Sequence, residues 1–126
     1  MKRNPVLQPL SREHHTALVL AKACERAAQS GDEEIIQKTC QRAIQAFSDE
    51  LEPHFQIEEQ TFLPLLHNTE SQAFADQAWA DHQQLRVLLN GLRQNNVEDL
   101  DNFGKCLSAH VRFEERMLFP ALESLL

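Results

Sequence analysis

His54-Phe55-Gln56-Ile57-Glu58-Glu59-Gln60-Thr61-Phe62-Leu63-Pro64 and His110-Val111-Arg112-Phe113-Glu114-Glu115-Arg116-Met117-Leu118-Phe119-Pro120 are one pattern written twice. The shared form is His-Φ-x-x-Glu-Glu-x-x-Φ-Φ-Pro, with Φ apolar. A histidine and a glutamate four residues apart stand on one face of a helix. Apolar residues at alternating three- and four-residue steps lead into each pair: Cys40, Ile44, Phe47 and Leu51 before His54, and Leu100, Phe103 and Leu107 before His110. Both stretches therefore read as amphipathic helices whose buried seam is interrupted by His and Glu. Continued in the same steps, the seams run on through Thr61 and Leu65, and through Met117 and Ala121.

Two further seams complete the set. One reads Leu10, His14, Ala17, Ala21, Cys24, Ala28, and the other Ala75, Ala78, His82, Leu85, Leu89, Leu92. Helix stops and starts fall at Gln29-Ser30-Gly31-Asp32, Asn68-Thr69-Glu70-Ser71 and Asn95-Asn96-Val97-Glu98-Asp99. The expectation is four helices over about 10–29, 32–67, 71–95 and 97–125. Four seams joined by short loops close into an up-down-up-down antiparallel four-helix bundle. Pro64 and Pro120 fall near helix ends, and Pro53 predicts a kink just before His54, or two helices meeting there. The fold class is all-α, in one domain over residues 1–126.

Composition agrees and excludes much else. Of 126 residues 42% are hydrophobic and 25% charged, so the chain is neither disordered nor fibrous. Only three glycines and five prolines leave little for the turns of an all-β fold. Lys plus Arg is 12 against 19 for Asp plus Glu, a net charge of −7, which argues against nucleic acid or an anionic membrane as a partner. No apolar run reaches membrane-spanning length, and the basic Met1-Lys2-Arg3-Asn4-Pro5-Val6 lacks the apolar stretch of a signal peptide. Cys24, Cys40 and Cys106 are an odd set without CxxC spacing, pointing to reduced thiols in the cytoplasm.

The polar insertions carry the chemistry. A glutamate facing a bundle core is costly unless something pairs with it. Glu58 and Glu114 together with His14, His54, His82 and His110 make a ligand-rich layer whose natural compensation is a bound cation. A second repeat supports this: Glu13-His14 matches Asp81-His82, each followed by a similar apolar stretch. Two hairpins, each giving a His and a His-x-x-x-Glu, imply a pseudo-twofold site that suits two metals bridged by two carboxylates. Imidazole and carboxylate without thiolate fit Fe, Mn, Zn or Co. Other residues are candidates beside this set. His15 is the alternative to His14 but has more polar neighbours. Glu50 and Cys106, one turn before His54 and His110, could orient those imidazoles, as metal-bound histidines require. For Cys106 the simpler reading is a small core residue. Glu59 and Glu115 lie one step off the seam, either solvated or behind the ligands. Trp79, three residues before His82, is placed to wall a ligand pocket, and His67 to meet a helix C-terminus.

At these residues the sequence resembles the hemerythrin-like, HHE cation-binding family over nearly the whole chain. The resemblance rests on Glu13-His14, His54-x-x-x-Glu58, Asp81-His82 and His110-x-x-x-Glu114. It implies a hemerythrin-like bundle with a non-haem centre of two iron ions, oxo- or hydroxo-bridged, that binds or senses oxygen or another diatomic ligand. The oxygen carriers of the family have His-x-x-x-His on the third helix, where this chain has Arg86 four residues after His82. They also have His-x-x-x-x-Asp on the last helix, where this chain has His-x-x-x-Glu. These departures resemble bacterial members that act in stress response and iron-centre repair, on nitric oxide, peroxide or damaged iron centres. Iron storage or delivery is a further alternative. The bland alternative is a metal-free interaction module. The absence of tyrosine argues against a tyrosyl-radical oxidase.

Overall fold

The computed structural model describes residues 3–126, so Met1 and Lys2 of the basic N-terminal stretch lie outside the described residues. Of the described residues 84% are helical, and no strand occurs among them. Four helical rods follow one another. The first is α1 (Gln8–Gln29). The second runs through α2 (Glu33–Ala46), a π turn (Phe47–Leu51), α3 (Glu52–Ile57), a second π turn (Glu58–Phe62) and a 3-10 turn (Leu63–Leu66). The third is α4 (Gln72–Leu92). The fourth runs through α5 (Val97–Phe113), a π turn (Glu114–Leu118) and α6 (Phe119–Glu123). Each rod packs on its predecessor and its successor, and the fourth returns to the first, so the rods close a ring.

The three connections work as their residues dictate. Gly31, Asn68 and Asn95 each take the left-handed conformation that ends a helix, with φ of 67°, 61° and 57°. Asp32 then caps α2, accepting from the N–H groups of Glu34 and Ile35 at 2.9 and 3.2 Å. Asn96 caps α5 by accepting from the Asp99 N–H at 2.9 Å.

The interior prolines are accommodated by π turns. Before His54, where the sequence predicts a kink or a junction, a π turn stands immediately ahead of Glu52-Pro53, and such turns are a source of kinks. Pro64 and Pro120 each follow a π turn as well. Proline lacks an N–H and crowds the carbonyl four residues back. A π turn, with bonds such as Leu63 N–H to Glu58 O and Phe119 N–H to Glu114 O, relaxes that register. It also inserts one residue into the seam. Beyond Glu58 the buried residues are Phe62, Leu63 and Leu66 rather than Thr61 and Leu65. Beyond Glu114 they are Leu118, Phe119 and Leu122, while Met117 is exposed and Ala121 only partly buried.

The core is divided in two. One cluster includes Ala17, Leu20, Leu51, Phe55, Phe103 and Leu107. The other includes Leu7, Leu10, Leu66, Ala78, Phe119 and Leu122. Between them lies a layer of buried polar side chains: His14, His54, Glu58, His82, His110 and Glu114. α1 and α5 approach closely at Gly104, where a Cβ would stand 2.6 Å from the Ala21 carbonyl oxygen.

Candidate metal centre

Each rod supplies one imidazole to the layer, and the second and fourth rods each add a glutamate. The Nε2 atoms face inward. Glu58 places Oε2 3.3 Å from His54 Nε2 and Oε1 3.1 Å from His82 Nε2. Glu114 places Oε1 2.9 Å from His14 Nε2 and Oε2 3.1 Å from His110 Nε2. Each carboxylate thus presents one oxygen to each of two donor groups. The first group is His14, His54, Glu58 and Glu114, and the second is His82, His110, Glu58 and Glu114.

These donors fit a cation better than they fit one another. The Nε2 atoms of His54, His82 and His110, both oxygens of Glu58 and Oε2 of Glu114 are buried without a hydrogen-bond partner. They are near neighbours, at 3.1–3.3 Å across the His54–Glu58, His82–Glu58 and His110–Glu114 pairs, yet form no hydrogen bond with one another. Buried polar atoms are rarely left so, and a cluster of them calls for an ion. Donor atoms within each group lie within 4.8 Å of one another. Cation bonds of about 2.1 Å place opposed donors roughly 4.2 Å apart, so little closing is needed.

Behind the imidazoles runs a ring of carboxylates, each rod serving the next. Nδ1 of His54 meets Glu13 Oε1 at 3.3 Å, and Nδ1 of His82 donates to Glu59 Oε2 at 2.6 Å. Nδ1 of His110 donates to Asp81 Oδ2 at 2.9 Å, and Nδ1 of His14 to Glu115 Oε2 at 2.6 Å. Such partners orient metal-binding imidazoles and turn Nε2 inward. Glu59 is held in turn by Arg86, whose Nη1 lies 2.9 Å from Oε2, and Arg86 also donates to Glu52 at 2.6 Å. Glu115 accepts from Ser11 Oγ at 2.9 Å and from Arg3 at 3.2 Å. Two aromatic rings stack on the ligands: Phe55 on His82 with centroids 4.0 Å apart, and Phe119 on His14 at 5.2 Å.

The electrostatics of the metal-free layer follow from burial and charge. Burial opposes the charged form of every imidazole here, but the two central carboxylates outweigh it. His54, beside Glu114 and Glu58, and His110, beside Glu114 and Asp81, are each pushed up to about 10. His14 and His82 also rise. Burial pushes Glu58 up, and the charge of Glu114 adds to the rise. Burial works the same way on Glu114, yet His110, His14 and His54 around it hold it well below the usual carboxylate range. Without a cation the layer is neutralised by protons.

All six inward candidates of the sequence reading meet in this layer. Glu59 and Glu115 are settled as partners of imidazoles. The remaining candidates stand away from the imidazoles. His15 is exposed beside Lys22 and Arg26, pointing away from the layer. Neither Glu50 nor Cys106 orients an imidazole, because Glu13 and Asp81 do so. Glu50 stands exposed at the rim of a cavity, and Cys106 lines an outer groove. Trp79 is 50% exposed and lines a surface groove with Leu63 and Pro64, so it walls no ligand pocket. His67 is exposed just past the 3-10 turn. The sequence reading gave no role to Glu13 and Asp81, although the repeat that pairs Glu13-His14 with Asp81-His82 carried the signal.

Among the described residues, a cavity reaches the layer. It has a volume of about 140 Å³ and ends on His14, His54 and His110. Its walls are apolar, among them Ala17, Leu20, Leu51, Phe55 and Val111, and its rim carries exposed Glu13, Thr16 and Glu50.

A helical bundle crossed by a carboxylate-linked His/Glu layer defines a cation-binding protein of the four-helix class. The model of the hemerythrin HHE cation-binding domain matches residues 6–123, and the chain belongs to that family. Among curated proteins and solved structures no match was found.

Proposed function

We propose that the layer holds two iron ions and that oxygen, or another diatomic ligand, reaches them through the cavity. His14 and His54 would hold one ion and His82 and His110 the other, with Glu58 and Glu114 shared. The observation that carries this reading is the cavity of about 140 Å³ ending on His14, His54 and His110. It suits a small, neutral ligand, and its apolar walls present nothing to orient an organic substrate. When bound, ferrous iron would supply the electrons that such a ligand draws on. The residues do the rest. Glu58 and Glu114 balance cation charge in a layer closed by two apolar clusters. The Nδ1 carboxylates fix the imidazoles, and the apolar walls keep bulk water away. Three free cysteines support a reducing, cytoplasmic setting.

The test is metal analysis of protein purified without air, with absorption spectra before and after air is admitted. Two irons per chain and new near-ultraviolet and visible bands are expected. Zinc, one metal or none, after growth on ample iron, would sink the reading. The equal shares of two histidines per donor group support a second reading, turnover of nitric oxide or peroxide. Stoichiometric uptake without turnover would remove it.

A further inference from the structure

We infer that the two cation positions fill in a fixed order: the His82/His110 position first and tighter, the His14/His54 position second, through the cavity rim. This rests on the two-ion reading above and concerns how the chain tells two chemically alike positions apart. The donors are the same on both sides, two imidazoles and the same two carboxylates. Their support is not.

At the His82/His110 position both imidazoles are pinned from behind. Glu59 holds His82 at 2.6 Å and is itself clamped by Arg86. Asp81 holds His110 at 2.9 Å and is tied by Gln77 at 2.7 Å. Phe55 lies flat on His82, which is fully buried. A cation arriving there meets donors that are already aimed, and little side-chain freedom is lost on binding.

The His14/His54 position has one loose member. His14 is pinned by Glu115, but His54 meets Glu13 at 3.3 Å, the longest of the four Nδ1 contacts. The Glu13 side chain is 50% exposed and has no other hydrogen-bond or ion-pair partner among the described residues. The cavity is lined by both imidazoles of this position and by only one of the other, His110, and Glu13 stands on its rim with Glu50. The open path and the loosely held ligand therefore coincide, and the two rim carboxylates draw cations to the mouth. His110 also lines an outer groove, together with the doubly tied Asp81.

The test titrates Co²⁺ into the full chain stripped of metal and follows heat and the visible absorption of the bound ion. Two equivalents should bind in steps at least tenfold apart, and a chelator should remove one Co²⁺ well before the other. Asp81→Asn should weaken the tighter step by about tenfold or more. Glu13→Gln should leave that step alone and change only the weaker one. His54→Gln should abolish the weaker step and spare the tighter. Two equivalents bound with one affinity and one release rate would overturn the order. So would loss of the tighter step in His54→Gln. Saturation at one equivalent or none would instead overturn the two-ion reading, and the order with it.

Discussion

Glu58 and Glu114 occupy matched places in the repeat, yet their surroundings push their ionisation in opposite directions. Glu114 touches His14 at 2.9 Å and His110 at 3.1 Å, and its ionised form balances those imidazoles. Glu58 is pushed toward its neutral form by burial and by Glu114. In metal-free protein Glu58→Gln should therefore cost less stability than Glu114→Gln, since burial and the charge of Glu114 already disfavour the ionised form that the amide removes. Glu114→Gln should cost about 3–5 kcal/mol, because it strands buried cationic imidazoles. Both variants should lose most of the stabilisation that metal confers, because each removes a shared ligand. Urea unfolding with and without a chelator measures all of this. Equal costs in the metal-free state would show that the two carboxylates carry the same charge.

At the scale of elements, the bundle depends on close approach and on π turns. Gly104 lets α5 lie against α1, where a Cβ would meet Ala21 O at 2.6 Å and Cys24 Cβ at 3.2 Å. Gly104→Ala gains about 1 kcal/mol of helix propensity. It should still destabilise the protein, since overpacking of this kind costs about 1–3 kcal/mol. α1 carries His14 and α5 carries His110, so metal affinity should fall too. A rise in melting temperature would refute the close-approach argument. The π turns explain where the seams went astray. Periodicity places Thr61 and Met117 inside, but each extra residue after Glu58 and Glu114 rotates the following side chains, and Phe62 and Leu118 are buried instead. The prolines at 64 and 120 signalled trouble with the regular register. They did not say that the helix would widen rather than end.

For the whole molecule, the layer ties folding to pH. His54 and His110 stand near 10 in the folded metal-free protein, against an ordinary value of 6.5. A group whose value is raised by folding stabilises the fold fully below its unfolded value. That contribution is lost as pH climbs through the folded one. Stripped protein should therefore unfold at progressively lower urea between about pH 6.5 and pH 10. Metal must displace the same protons, so its affinity should rise across that window, with protons released on binding. Calorimetry in buffers of differing ionisation heat counts those protons. Stability of stripped protein that holds level over the window would contradict protonated imidazoles in the layer.

Sequence alone determined the four rods, their three breaks and the six inward-facing polar residues. Helix periodicity, caps and turn residues are local, and the doubled motif made the His/Glu pairs legible without any contact between rods. Tertiary structure decided which carboxylate meets which imidazole. Glu13 adjoins His14 in the chain but serves His54, and Asp81 adjoins His82 but serves His110. It also decided that Glu50, Cys106 and Trp79 stand aside, and that the cavity opens beside Glu13 alone of the four supporting carboxylates. Those outcomes depend on how each rod is rotated and staggered against its neighbours. That geometry is set by the packing of side chains far apart in sequence, and by π turns that shift the register partway along a rod.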